Sequence, residues 1–554
     1  MTIATEHGSY AYPTVSSAIA ASDEATLDAA VQAVKAQKDA WTHVSAADRA
    51  RLCTRLMRDF HAQAERWVAA CLQAKGLSAT SPFRGEEWAA GPYTIMRHLR
   101  QYVGSLSDVA KSGYPKIPGP VTVRPDGQVV AQIFPVDGYD KALFSGLKGE
   151  LWMEPGTVTK ANFRQSQAAL YHQSHEGKVA LVLAAGNVSS IGPLDIFYKL
   201  FNEDQVVVCK MNPVNEYLGP IMEDAFKALI EPGYLRVVYG GAKEGAYLCS
   251  HPDVDEIHVT GSDKTFEAIV FGPGADGRAR KAQNEPVLTK RITGELGNVS
   301  PVIVVPGTWS ASDITYQAEH LVTMLSNNAG FNCNATRVIV TSASWPQRQQ
   351  LLDAMRDIMR KLPTRQAYYP GAHDRQQAFV AAHPSAETFG TPQEGELPWT
   401  LIAGVSPDDD SQMVFTTEAF CSLFAESGLE ASSTQDFLTK AVTFVNDHVW
   451  GTLSASILIH PSTLREKGMA QALDRAVADL RYGSIGVNYW GGTGFILGTT
   501  TWGAFPGHTF SDIQSGMGVV HDTLLFDHVQ KVVLRSPFRT IPTPPFFATR
   551  GRAS

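Results

Sequence analysis

A cysteine at position 333 sits in SNNAGFNCNATRVIV (326–340), where small and amide side chains run into a β-branched strand. Upstream, RITGELGNVSPVIVV (291–305) carries Glu295 on a polar approach to Gly297 and a second apolar strand. A cysteine in a Gly/Asn loop is placed by backbone that needs unusual dihedrals, not by a packed core. A thiol of that kind is a candidate nucleophile, and a carboxylate in a second loop can serve it as general base. The competing reading of Cys333 is a small buried hydrophobe, which is what free cysteines usually are.

These two residues need scaffolding, and the chain has the length for it. At 554 residues it exceeds a single core, and its 44% hydrophobic and 18% charged content is ordinary for a globular protein. A formal charge of −8 without a basic run argues against a nucleic-acid partner. The six cysteines (Cys53, Cys71, Cys209, Cys249, Cys333 and Cys421) show no metal-ligand spacing, so no metal is expected. Their scatter fits reduced thiols and a cytoplasmic location. The N-terminus lacks a basic start and an apolar stretch, and no apolar run reaches membrane-spanning length, so neither a signal peptide nor a membrane partner is expected.

Residues 22–75 read as two amphipathic helices, the first with Ser22 as candidate N-cap. Residues 112–155 read as strands split by a Pro-Asp-Gly turn. From 178 to 305, short apolar runs alternate with helical stretches, which implies a parallel, doubly wound sheet. Ligands bind at the carboxyl ends of such strands, where Asn187, Lys210, Gly241 and the pair Gly261 and Ser262 fall. No GxGxxG is present. Residues 271–286 and 491–510 read as loops, and 529–535 as a late strand pairing outside its own domain.

Taken in order, these pieces resemble the aldehyde dehydrogenase superfamily over nearly the whole chain. AAGN (184–187) stands where the family has Pro-Trp-Asn, and VVVCKMNP (206–213) where it has a strand ending in Lys-Pro-Ser-Glu. HPDVDEIHVTGS (251–262) and GELGNVSP (294–301) match closely; FNC (331–333) replaces Gly-Gln-x-Cys, and TEAFCS (417–422) replaces Glu-x-Phe-Gly-Pro. The resemblance implies an α/β fold with three parts. A Rossmann-like cofactor-binding domain would span 1–115 and 156–290, and an α/β catalytic domain 291–519. A small β oligomerisation element would take 116–155 and 520–540, ahead of a tail at 541–554.

The same resemblance implies NAD- or NADP-dependent oxidation of an aldehyde to its acid. Cys333 would attack the carbonyl and Asn187 would hold the oxyanion. Glu295 would activate the water that hydrolyses the thioester. Lys210, Gly241, Gly245, Gly261 and Ser262 would hold the adenosine and phosphates; Glu418 and Phe420 would meet the nicotinamide riboside. Val188, Gly192, Asp195, Trp490 and Trp502, with Tyr489 and Phe495 nearby, would wall an apolar or aromatic aldehyde pocket. A homodimer or homotetramer is expected, with the late strand extending a partner's sheet. The alternatives are a relative that passes the acyl group to coenzyme A, which has no need of Glu295, and a catalytically silent binding protein. Four departures mark a divergent branch: Gly186 for tryptophan, Pro213 for glutamate, Phe266 for glycine and Phe331 for glutamine.

Overall fold

The computed structural model describes residues 7–550 except 11, 14, 16, 410 and 545. Two sheets organise it. The first has six strands in the order Gly516–Met517, Arg291–Glu295, Glu256–Thr260, Val179–Leu183, Val206–Lys210, Leu235–Val238. All but the short first strand run parallel, as their unbroken Val/Ile/Leu stretches require when helices cover both faces. Arg291–Glu295, expected to open the catalytic unit, belongs to this sheet, so Glu295 stands at a strand end level with Thr260.

The second sheet has eleven strands. Its parallel centre includes Leu423–Leu429, Thr336–Ser342, Ser300–Val304, Ser454–Leu458 and Ser484–Val487. Cys333 and Glu418 lie just before the first residues of Thr336–Ser342 and Leu423–Leu429. The strand Val529–Arg535 pairs parallel with Ser484–Val487 on one side and antiparallel with Lys148–Met153 on the other. Val129–Phe134 and Val121–Val123 then complete the sheet. Both edges of Val529–Arg535 are therefore satisfied within the chain, and it cannot extend a partner's sheet as expected. Lys531 fixes this seating: its buried ammonium donates to Val477 O, Ala478 O and Leu480 O at 3.1, 2.8 and 2.7 Å, capping the end of helix Met469–Asp479.

Elsewhere the sequence reading needs correction. Asp23, not Ser22, caps helix Glu24–Lys35, accepting from Thr26 N at 2.8 Å, while the Ser22 hydroxyl accepts from Tyr239 N. The segment 22–75 breaks into four helices, and a 19-residue helix, Thr94–Ser112, follows further along the chain. The expected loop at 271–286 contains helix Gly274–Gln283, because Gly277 lets it pack directly on the Gly272 carbonyl. Within 491–510 a short helix, Gly494–Leu497, precedes strand Thr501–Gly503, which pairs with Val519–His521. In the expected tail, Phe547 packs on Tyr316 and His320; residues 551–554 lie outside the described residues. Among the described residues no helix is long and apolar enough to cross a membrane.

Replacing Lys531, whose pKa burial lowers to about 7, with Met should strip three carbonyls of their donor and cost about 2 kcal/mol or more. Denaturant unfolding followed by circular dichroism reads this; an unchanged midpoint would show that Lys531 does not hold the strand in place.

Candidate active site

One cavity of about 930 Å³ lies between the carboxyl ends of the six-stranded sheet and the entry loops of the larger one. Its walls include Leu183, Lys210, Thr260 and Glu295 from the strand ends, and Asn187, Cys333, Glu418 and Phe420. Gly241, Gly245, Gly261, Ser262 and Pro213 line it as well. Every residue expected to act on the carbonyl or to hold the cofactor thus faces one space.

The Cys333 loop is built from left-handed backbone. Asn328, Ala329 and Gly330 have φ of 52°, 55° and 85° in succession. At Gly330 a Cβ would stand 2.6 Å from Cys421 O, so only glycine fits. Buried Arg337 reaches across to the carbonyls of Gly330, Cys421 and Leu423 and locks the turn. Phe331, in place of the family glutamine, sits among Tyr368, Tyr369 and Phe420, with ring centroids 4.9 to 6.0 Å away. Its carbonyl accepts from the Asn187 side-chain amide at 2.9 Å. That bond uses one amide N–H of Asn187 and leaves the second as a donor beside the loop.

Charge is crowded here. Cys333 is half-buried beside the Glu295 carboxyl. Burial raises the Glu295 carboxyl to about 8; the Cys333 thiol and the nearby Trp502 indole oppose this, while Asp195 and Glu418 add to it. Glu295 Oε1 is buried with no protein partner, so it is open to a ligand or a water. Burial, then Glu295, then Glu418 push the thiol well above its ordinary value. Glu418 is raised to about 7 by burial, against the pull of Arg337.

Glu418 also meets a segment that sequence reasoning missed. Gly8–Ser9 forms a parallel pair with Thr417–Glu418. Ser9 Oγ donates to Glu418 Oε2 at 3.4 Å, and Ser9 N to Asp263 Oδ1 at 2.9 Å. Tyr12 packs edge-on to Phe420 and Tyr369 under the Arg375 guanidinium. Ser262 caps helix Asp263–Phe271, accepting from Thr265 N at 3.1 Å, and so turns the start of that helix toward the cavity. Lys210 is buried at its strand end, and burial lowers its pKa despite Glu244 nearby.

The departures from the family pattern have physical reasons. A Cβ on Gly186 would meet Asn212 Oδ1 and Val214 Cβ, both at 2.7 Å, so no tryptophan fits. Phe266 does not crowd the cavity: its ring is fully buried against Gly294 and Phe510.

The expected substrate wall is a different matter, since none of its five residues lines the cavity. Val188 packs on the hydrophobic core. Gly192 brings its helix against Ala184, whose Cβ would stand 3.2 Å from an added one. Asp195 is fully buried, accepting from Thr260 Oγ1 at 2.9 Å, and burial raises its carboxyl to about 8. Trp490 donates its indole N–H to Asn334 O at 3.0 Å. Trp502 is buried against Phe495. The family resemblance implied a pocket at these positions, but packing and hydrogen bonds within the fold use them instead.

Below about pH 8 Glu295 carries its proton and resembles glutamine; above it, its charge suppresses the Cys333 thiolate. Glu295→Gln should therefore speed alkylation of Cys333 by iodoacetamide above pH 8 and change it little below pH 7, read by peptide mass spectrometry. Equal acceleration across the range would contradict this coupling.

With this geometry in place, the comparisons with known proteins are informative. Residues 205–383 match the model of the aldehyde dehydrogenase family. Aldehyde dehydrogenase LUC3 from Fusarium is 28% identical over 170 residues, covering 31% of this chain and 30% of that protein. The chain thus aligns with about a third of the length of this curated relative. An aldehyde dehydrogenase from Mycobacterium tuberculosis, solved with NAD+, superposes with a TM-score of 0.64 at 17% identity, covering 93% of this chain and 91% of its own. A mutant of aldehyde dehydrogenase C from Pseudomonas syringae, complexed with NAD+ and octanal, gives 0.64 at 16% identity, covering 97% and 98%. Residues 205–383 thus match the aldehyde dehydrogenase family, and the chain as a whole shares the aldehyde dehydrogenase fold.

Proposed function

We propose that the chain oxidises an aldehyde to its carboxylic acid with NAD or NADP. The observation that carries this reading is the meeting of a thiol, a buried carboxyl with one unpartnered oxygen and an amide donor in one cavity large enough for a dinucleotide. Cys333 passes its proton to the adjacent Glu295 carboxylate, which releases it to solvent, and the thiolate attacks the aldehyde carbon, forming a thiohemiacetal. The oxyanion that develops is met by the free N–H of Asn187 and the backbone N–H of Cys333. Glu418 and Phe420 would hold a nicotinamide riboside, which when bound would accept the hydride lost as this adduct becomes a thioester. Glu295, once deprotonated, takes a proton from water, whose oxygen attacks the thioester and releases the acid and the thiol.

The cavity suits the cofactor. Gly241 and Gly245 leave backbone open along one wall, and a Cβ on Gly245 would come no nearer than 3.8 Å to Lys210. The start of helix Asp263–Phe271 offers N–H groups to a pyrophosphate. Lys210, Lys243 and Lys290 line the same cavity, and Pro213 brings no negative charge there, so a 2′-phosphate is accepted. The six-stranded sheet would thus hold the cofactor, and the larger sheet the nucleophile.

For the aldehyde, Glu295 and Glu418 offer no cation to a substrate carboxylate and repel it once they lose their protons. We therefore favour an apolar or aromatic aldehyde; the P. syringae relative was solved with octanal. A cytoplasmic homo-oligomer remains our reading, and assembly would have to use a surface other than Val529–Arg535, such as the open edge of Val121–Val123.

Cys333→Ala should lower aldehyde oxidation at least about a thousandfold while leaving the fold intact. Parent activity in that variant would remove Cys333 from the mechanism. For the parent enzyme, kcat should rise about tenfold per pH unit up to about 8, where Glu295 loses its proton, and flatten above it. Acyl-coenzyme A rather than free acid as product would overturn hydrolysis. Pro213→Glu should raise KM for NADP and spare NAD; equal loss for both would contradict the placement of the 2′-phosphate. In a kcat/KM series, succinic semialdehyde should fall well below octanal and benzaldehyde, and the reverse order would sink the apolar reading.

A further inference from the structure

Behind the proposed oxyanion site lies a buried ion pair that the mechanism does not use. Lys75 Nζ donates to Glu87 at 2.7 Å and to Asn328 Oδ1 at 2.9 Å, and all three side chains are buried. Nothing in the residue types of this segment marked it as part of a site. Asn328 is the first of the left-handed residues that set the Cys333 loop. Its amide nitrogen lies 3.1 Å from each of three acceptors: Asn187 O, Phe331 O and Asn332 Oδ1. Tyr368 closes the cluster, its hydroxyl 2.8 Å from Asn187 O and 3.1 Å from Asn328 Oδ1.

The chemistry of these donors fixes a direction. A carboxamide has an accepting end and a donating end of nearly the same shape, and only its neighbours decide which way it faces. An ammonium has three donors and no acceptor, so the end of Asn328 that meets Lys75 must be Oδ1. The donating end is then forced toward Asn187 O and Phe331 O. Those carbonyls belong to the residue that would hold the oxyanion and to the turn that carries the nucleophile. Were Asn328 to flip, its oxygen would face both carbonyls, and the two loops would be pushed apart. Glu87 secures the charge on which this depends: burial alone would push Lys75 down, but Glu87 and the other groups around it raise it above its ordinary value.

We infer that Lys75 is a positioning residue for the reaction, acting through Asn328 to hold the Asn187 amide and the Cys333 turn in register. The inference rests on the aldehyde dehydrogenase reading above. It assigns Lys75 no contact with substrate or cofactor, and it excludes a role that is only structural.

Two variants separate these roles. Lys75→Met keeps the volume but strands the Glu87 carboxylate. The double variant Lys75→Met/Glu87→Gln also removes that stranded charge, so a loss of folding in the first is repaired in the second. Each is assayed with octanal and NAD for kcat, with p-nitrophenyl acetate for acyl transfer without cofactor, and by fluorescence titration for the Kd of NADH. The expected result is a double variant with parent-like thermal stability and NADH affinity. Its kcat and its ester hydrolysis should both fall about 10- to 100-fold, less than when an oxyanion donor is removed outright. Parent-like kcat and ester hydrolysis in the double variant would overturn the inference, as would weakened NADH binding equal to the loss in kcat. A parent protein that binds NADH but turns over no aldehyde would instead overturn the underlying reading, and the inference with it.

Discussion

The Glu295 carboxyl and the Cys333 thiol come from different sheets and meet in one largely desolvated recess. Glu295 ends the last long parallel strand of the six-stranded sheet, and Cys333 enters a central strand of the larger one. Neither sheet alone contains the pair, so the packing of one sheet end on the other creates the chemistry. Burial makes each charged form costly, and for that reason the resting pair is neutral. A proton must leave before the thiol attacks, and another before water can be activated. Low dielectric also strengthens every donor that faces a developing oxyanion, so the recess that suppresses the resting charge favours the reacting one.

Holding a thiol at that point requires backbone that folded chains seldom adopt. Three consecutive left-handed residues, two of them not glycine, carry a conformational cost. The surroundings offset it with Arg337 bonded to three carbonyls, an aromatic cluster around Phe331, and the amide of Asn328 oriented by a buried ion pair. Arg337, Asn328 and Lys75 are buried polar or charged groups, yet nearly all their polar atoms are paired, which is the condition for such networks to rigidify. The far end of the cavity is looser, with glycines, lysines and a capped helix start along its walls. A rigid reacting centre beside an open binding groove is what a cofactor-dependent oxidation needs.

Much of this was legible in the residues. The β-branched runs at 179–183, 206–210 and 256–260 read as buried parallel strands, and the Gly186-Asn187, Lys210 and Gly261-Ser262 positions at their ends mark the binding edge. The Asn/Gly spacing around Cys333 carried the loop, because glycine and asparagine tolerate left-handed backbone. What stayed hidden depends on contacts between distant segments. Gly192 and Trp502 have the composition of a pocket wall, and only tertiary packing shows them spent on helix–sheet contact. Ser9 and Lys75 lie hundreds of residues from Glu418 and Asn328, which they touch, and carry no local signature. The late strand failed differently: its propensity was clear, but its partners were not, since both neighbours come from elsewhere in the same chain.

The central claim is that an acyl group passes through Cys333 and waits there for water activated by Glu295. Its most direct test is mass spectrometry of the Glu295→Gln variant, quenched after mixing with octanal and NAD. The account predicts one octanoyl group per chain, on the peptide containing Cys333, that persists while the parent enzyme shows none at the same time. Free octanoic acid formed at the parent rate, or an acyl group on any other residue, would contradict it.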